Sequence, residues 1–429
     1  MDTVIYIIGA IVFFALIMLS VSLHEFGHMV PAKIFGVKVT EYFVGFGKTL
    51  WSFRRGETEY GLKALPLGGY VKLVGMYPPK NGKVRGNTNP VMTLIEDSRA
   101  AEWEDIKPED DGRLMYQQKS WKKLIVMLAG PATNLILAFV ILWGVFGIHG
   151  IYQPQLTVAS VSQCVVTADR TDQTCQPGDP IAPAAQMGML PGDRIVAFNG
   201  EPVRDWEHLQ EIIRGNLDRS ARITVERDGR QVDLTPGNTM ITGVQDKLDP
   251  SKTIEAGFLG VSPTTEKVHL GPAGTLNQMW TMTSQSVIAL GQFPVRVWNT
   301  AVDLVTGQPR DVNGPMSIVG ASRVAGEVSS TDQMTGADKV ATFFTLLGNV
   351  NLFVGLFNLV PLLPLDGGHI LGVIVEWIRR QGARIFRRPD PGFIDTAKML
   401  PVAYAVFAFI AISGVVLVAA DIFSPVTLF

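Results

Sequence analysis

The residues most able to do chemistry stand together as His24-Glu25-Phe26-Gly27-His28. In a helix, side chains four apart share a face, so His24 and His28 can offer two imidazole nitrogens to one Zn²⁺ while Glu25 reaches a water on the metal. Zinc lowers the pKa of such a water from 15.7 toward about 7, and a neighbouring carboxylate can take its proton and pass it to a leaving amine. The alternative is a pair of helix histidines at an interface with a glutamate between them. Three ionisable-type residues beside a hydrocarbon span are costly unless they have such a task.

A catalytic zinc takes a third protein ligand and keeps a fourth position open. The conspicuous candidate is Asp366, in Asn358-Leu-Val-Pro-Leu-Leu-Pro-Leu-Asp366-Gly-Gly-His369, where a carboxylate directly follows a 26-residue uncharged run. An isolated charge there is expensive, and a divalent cation relieves the cost. Pro361 and Pro364 interrupt helical hydrogen bonding, and irregular backbone at membrane depth is tolerated where it lines a cavity. The alternative for Asp366 is a helix cap at the membrane surface. His369 competes as third ligand or supports the others, and a supporting role is expected. His149, His208 and His269 read as surface or structural residues.

The elements that must hold these residues are apolar. Uncharged runs cover 3–23, 124–148, 340–365 and 399–420, of 21, 25, 26 and 22 residues. At 1.5 Å per residue even the shortest reaches roughly 31 Å, enough to cross a bilayer core. The chain of 429 residues is 47% hydrophobic and only 18% charged, below the ~25% of a soluble domain, with a mean hydropathy of +0.23. Disorder is excluded by the apolar fraction, and nucleic-acid binding by a net charge of −2, which supplies no positive field. Two cysteines cannot build a disulfide scaffold or a cysteine-only zinc site.

The first run lacks a positive n-region and a small-residue cleavage site, so it is expected to be retained. Lys119, Lys122 and Lys123 before the second run, and Arg379, Arg380, Arg384, Arg387 and Arg388 after the third, place those loops in the cytoplasm. Both termini and residues 150–339 then lie outside. Between the first two runs, 31–76 reads as hairpins near the membrane, with Gly45, Gly47, Gly68 and Gly69 punctuating β-branched and aromatic stretches. Residues 77–116, rich in proline, asparagine and acids, read as a mobile cytoplasmic insertion ahead of a basic flank to 123. An α/β module is expected over about 155–262: a strand, a small-residue helix ending near Gly188, a strand 194–198, a helix capped by Asp205 and a hairpin at Asp228-Gly229. Residues 275–307 read as an amphipathic helix on the outer leaflet or against the bundle. Cys164 and Cys175, eleven apart on the oxidising side, are expected to form a disulfide.

HEFGH on the first span, Gly130-Pro131-Ala-Thr-Asn134 on the second, NLVPLLPLDGG on the third and the intervening module together resemble the site-2 protease family of M50-type intramembrane zinc metalloproteases, most of all its actinobacterial members with one PDZ-like domain. The resemblance covers the whole chain in order. It implies a polytopic α-helical protein: helix 1 over 1–30, helix 2 over 124–148, helix 3 over 340–378 and helix 4 over 399–420, with a membrane-associated β-hairpin region and an inserted extracytoplasmic PDZ-like α/β domain. It implies zinc held by His24, His28 and Asp366, with Glu25 as acid/base, facing the cytoplasmic side of the plasma membrane. Asn358 and Asn134 are associated in the family with substrate or the framework of the site; either could instead satisfy a helix–helix contact. The segment with Gly45-Phe46-Gly47 and Gly68-Gly69 resembles a β-loop whose strand edge supplies hydrogen bonds to an unwound substrate. Implied substrates are single-span membrane proteins such as anti-sigma factors already clipped outside, or signal-peptide remnants. The PDZ-like module would exclude bulky substrates or capture peptide ends. The 77–116 insertion departs from the family pattern. The competing reading is a non-catalytic, metal-binding membrane scaffold that recruits peptides.

Overall fold

A computed structural model describes residues 2–78, 106–166, 174–245, 253–308, 310–311 and 314–426. They form two compact units, one built from 1–145 with 271–429 and the other from 146–270.

The first unit opens with α1 (Asp2–Ile34), which runs past the HEFGH motif without a break. Two long strands follow, β1 (Val39–Arg55) and β2 (Thr58–Leu73). They bend and pair more than once: 49–55 pairs with 58–63 across the tight turn, and 41–44 pairs both with 59–62 and with 69–72, with register shifts between these stretches. The positive φ angles of Gly45, Gly47 and Gly68, at 90°, 84° and 118°, explain this irregularity, since only glycine adopts them freely. The Tyr42 hydroxyl ties the hairpin to α1 through the Ser22 carbonyl at 2.7 Å. The next helix, α2 (Ser120–Ile148), carries the GPATN sequence.

Residues 79–105 of the expected mobile insertion lie outside the described residues. Its end corrects that expectation, because 106–117 is folded against the unit. Asp110 is buried and its carboxylate accepts from Lys38 Nζ at 2.7 Å. Burial alone would push that carboxyl up; the Lys38 ammonium and the Lys107 amide outweigh it and hold the pKa below the ordinary range.

The second unit contains β3 (Ile151–Val161), the short α3 (Pro183–Gln186), β4 (Arg194–Phe198), β5 (Glu201–Pro202), α4 (Trp206–Asn216), β6 (Ser220–Ala221), β7 (Ile223–Arg227), β8 (Arg230–Asp233), β9 (Gly237–Asn238), β10 (Met240–Gln245), β11 (Thr253–Phe258) and β12 (Val261–Val268). Its main sheet runs β12-β3-β4-β7-β8, with β5 beside β4. Alternating residues Ile195, Ile223 and Val225 are buried against Trp206, Leu209 and Ile213, which fall on one face of α4 at helical spacing. Asp205 caps α4 by accepting from the His208 amide at 2.8 Å. Asp193 is buried and accepts a bidentate pair from Arg227 at 2.7 and 2.8 Å. Cys164 and Cys175 are joined in a disulfide with Cα atoms 5.8 Å apart.

The first unit then resumes with α5 (Pro272–Thr306), α6 (Ile318–Ser330), α7 (Gly336–Asn358), α8 (Asp366–Ile385) and α9 (Leu400–Phe423). Of the two placements open to the 275–307 helix, packing on the bundle is found: Phe293 of α5 meets Phe357 of α7 and Phe409 of α9 edge-on, at 6.5 and 6.3 Å. The expected single helix over 340–378 is corrected. It is two helices, α7 and α8, separated by an irregular segment that includes Pro361 and Pro364, whose missing N–H groups cannot continue the ladder. Four helices among the described residues have membrane-spanning length and hydropathy: Thr3–Ile34, Ser120–Ile148, Gly336–Asn358 and Thr396–Phe423. Inside this bundle Asn351 of α7 donates to Ser20 Oγ of α1 at 3.1 Å, a polar tie between two otherwise apolar faces.

Candidate metal centre

One turn of α1 presents His24 and His28, both buried, with Nε2 atoms 3.3 Å apart. The first residue of α8 brings Asp366 Oδ2 to 3.2 Å from His24 Nε2 and 3.3 Å from His28 Nε2. The triangle is assembled by close helix packing. At Gly367 an added Cβ would stand 2.2 Å from the Val360 carbonyl oxygen, so only glycine lets α8 start against the preceding segment.

The hydrogen bonds around the triangle decide where the protons lie. His28 Nδ1 is 2.7 Å from the Val126 carbonyl oxygen, which can only accept, so the ring carries its proton on Nδ1. His24 Nδ1 is 3.0 Å from Asn134 Oδ1 and donates there in the same way. Both Nε2 lone pairs therefore point at the Asp366 carboxylate oxygen, itself buried and without a hydrogen-bond donor. Three electron-rich atoms converging without a proton between them repel unless a cation is shared. A tetrahedral ion with bonds of 2.0–2.2 Å has ligand–ligand edges of roughly 3.3–3.6 Å, which the observed triangle matches. These three side chains are the group among the described residues that could hold a metal ion, and the donor set fits zinc.

A cavity of about 550 Å³ adjoins the triangle, lined by Glu25, His28, Asp366, His369 and a continuous stretch, Tyr70 to Val74, that ends β2 and runs one residue beyond it. The Val71 amide faces the Glu25 carboxylate. Gly69 allows this approach, since a Cβ there would lie 3.0 Å from the Phe43 carbonyl oxygen and 3.4 Å from Glu25 Cγ. Sequence reasoning placed hairpins over 31–76 and marked the glycines and Phe46, but did not single out Tyr70–Val74 as the part that meets the site. Gly45, Phe46, Gly47, Gly68 and Gly69 are not among the lining residues, whereas Tyr70–Val74 are. The available signal was the apolar/polar alternation right after Gly69. Phe46 stacks on Tyr70 with ring centroids 6.1 Å apart, so it braces the lining rather than forming it. Asn358, the last residue of α7, is half-buried and lies outside the lining. Asn134 sits on the back of His24, and of the two tasks open to it, framework rather than substrate contact matches its position.

Gly130 is as constrained as any residue here, because a Cβ at that position would fall 2.1 Å from His28 Nε2. Gly130→Ala is expected to displace the imidazole and weaken zinc binding by about tenfold or more. Metal content after dialysis against a zinc buffer checks this; stoichiometric zinc in the variant would contradict it.

Comparison with known proteins agrees with this geometry. The profile of Peptidase family M50 matches residues 12–387. The zinc metalloprotease Rip1 of Mycolicibacterium smegmatis is 34% identical over 442 aligned positions, covering 98% of this chain and 99% of that protein. Rip1 of Mycobacterium tuberculosis is 32% identical, covering 99% of both chains. A buried His-His-carboxylate triangle at zinc spacing, in a chain matched along most of its length, is thus explained by descent as well as by chemistry: the chain belongs to peptidase family M50, the site-2 proteases, and is a multi-pass membrane zinc metalloprotease.

Proposed function

We propose that this enzyme cleaves single-span membrane proteins within or near their bilayer segment, with His24, His28 and Asp366 holding zinc and Glu25 moving the proton. The observation that carries the reading is the cavity itself: Glu25 and Asp366 share it with Tyr70–Val74 at the end of the hairpin region. A helical substrate hides its carbonyls in its own hydrogen bonds and must be extended before attack. Residues 69–72 of β2 pair with 41–44 of β1 along one edge, so their other edge can receive an extended peptide. Zinc, when bound, supplies Lewis acidity to the scissile carbonyl and the attacking water. Glu25 takes the water's proton and delivers it to the departing amine, while Asn134 and the Val126 carbonyl keep both imidazoles in the tautomer that ligates.

The second unit, with its capped α4 packed against a small sheet, supports a PDZ-like module, which this reading puts on the extracytoplasmic side together with both termini. The basic residues flanking α2 and α8 support a cytoplasmic position for those ends. A reporter fused after Arg384 should read cytoplasmic and one within 200–230 external; the reverse pattern would overturn this orientation. Membrane-anchored anti-sigma factors already cut outside are the substrates that best suit the arrangement, followed by signal-peptide remnants. The module would admit them by size or by holding a chain end.

The test is reconstitution of the purified protein in detergent with a tagged single-span substrate. Cleavage mapped by mass spectrometry to the apolar segment, stopped by a zinc chelator and restored by added Zn²⁺, is the expected result. An intact substrate in the presence of stoichiometric zinc would favour a metal-binding scaffold instead.

A further inference from the structure

The metal triangle has its ligands on two helices, α1 and α8, and its imidazole acceptors on a third, α2. Apolar contacts join these helices through Met29, Val126, Met127 and Ile370, and such contacts tolerate sliding. A slip of α8 by one residue would move Asp366 by about 1.5 Å, far beyond the roughly 0.2 Å a zinc site allows. Something more specific has to set the register of α8 on α2.

Lys123 and Glu376 meet that need. Lys123 stands three residues before Val126, one turn along α2, and Glu376 stands ten residues after Asp366 on α8. Lys123 Nζ donates to both Glu376 oxygens, at 3.0 and 3.1 Å, and both side chains are almost wholly buried. The carboxylate is further fixed by Ser120 Oγ at 3.3 Å, the Ile394 amide at 3.2 Å and Arg380 at 3.6 Å. Phe393 closes the cluster, with Lys123 Nζ 5.0 Å and the Arg380 guanidinium 4.9 Å from its ring. Glu376 and Lys123 line a void of about 40 Å³ together with Met127 and His369, and those last two residues also line the cavity at the metal triangle. The ion pair therefore lies one side-chain layer from the site. A pair buried this deeply is seldom retained for stability alone, since matched apolar residues serve that purpose as well.

We propose that Glu376, clamped by Lys123, is a positioning residue for the zinc centre: it fixes the axial register of α8 on α2 and so holds Asp366 against the two imidazoles. The proposal rests on the reading of His24, His28 and Asp366 as the zinc ligands.

Zinc affinity of the full-length protein in detergent, measured by competition with a fluorescent chelator, tests it on wild type, Glu376→Gln, Asp421→Asn and Asp366→Ala. Asp421 is the control. Like Glu376 it is 3% exposed, and it is paired with Arg310 and Ser317 at the end of α9, so its loss creates a comparable buried defect that does not bear on the register of α8. Glu376→Gln should weaken zinc binding by about tenfold or more, while Asp421→Asn leaves it near the wild-type value. Wild-type affinity in Glu376→Gln, or equal weakening in both variants, overturns the clamp. If Asp366→Ala loses zinc and Glu376→Gln does not, only the clamp fails; if Asp366→Ala keeps wild-type affinity, the ligand reading fails and the clamp with it. Should Glu376→Gln not fold, Glu376→Asp, which keeps the charge on an arm one methylene shorter, carries the same expectation.

Discussion

Glu25→Gln protein is expected to bind one zinc per chain and to cleave a reconstituted single-span substrate about 10³-fold more slowly than wild type, within the 10²–10⁴-fold range of general acid–base catalysis. The two side chains have nearly the same shape, so packing against Gly69 and Val71 is kept. The amide cannot accept a proton from water at neutral pH, and it has none to return to a leaving amine. Zinc stays because Glu25 is outside the triangle formed by His24, His28 and Asp366. Initial rates and metal content measured on the same preparation separate the two effects. Wild-type cleavage by the variant would remove Glu25 from the reaction, and loss of zinc would make it a ligand instead.

Asp366→Ala should act in the opposite order, with zinc lost first and cleavage as a consequence. Structural zinc sites with four ligands bind with about 10–16 kcal/mol, so one ligand is worth roughly 3–4 kcal/mol, or about 10²–10³-fold in affinity. Apolar truncation also removes the only anion among the three converging atoms, leaving two neutral imidazoles that hold a cation less well. Metal analysis after exhaustive dialysis should find substoichiometric zinc. Stoichiometric zinc at wild-type affinity would exclude Asp366 from the ligand set. The pair of variants is diagnostic together: a protease built as proposed loses turnover alone in one and metal in the other.

The roles of the residues around the triangle differ in how far they act from the metal. Asn134 and the Val126 carbonyl touch the imidazoles directly. Gly130 acts by the absence of a side chain. Lys123 and Glu376 act through the placement of a helix. All five belong to α2 or α8, which explains why α2, with no ligand of its own, carries so constrained a sequence between Lys123 and Asn134.

What the sequence by itself determined follows from local periodicity. Four uncharged runs demanded membrane helices because their length and hydropathy leave no other compact state. The spacing of His24 and His28 demanded a shared helix face, and an aspartate closing an uncharged run demanded a counter-ion. The capped helix at Asp205 and the turn at Asp228-Gly229 were legible for the same reason, since caps and turns are decided within a few residues. The break between α7 and α8 was only half legible: the prolines were visible, but the two-helix outcome depends on how the freed backbone groups are satisfied by neighbours.

Tertiary structure alone decided the rest. His24 reaches Asn134 across 110 residues of chain and His28 reaches Val126 across 98, and no local pattern encodes which turn of α2 faces α1. Glu376 meets Lys123 across 253 residues. In sequence they are one more acid and one more lysine near span ends, where such residues are ordinarily solvated. Tyr70–Val74 lines the cavity beside Glu25 in a sheet where 69–72 pairs with 41–44, and such register is a property of two paired strands rather than of either one. The chemistry proposed for this protein is written in five consecutive residues and one distant aspartate; its geometry comes from side chains interlocking between helices, where packing to within a few tenths of an ångström is set by all partners at once.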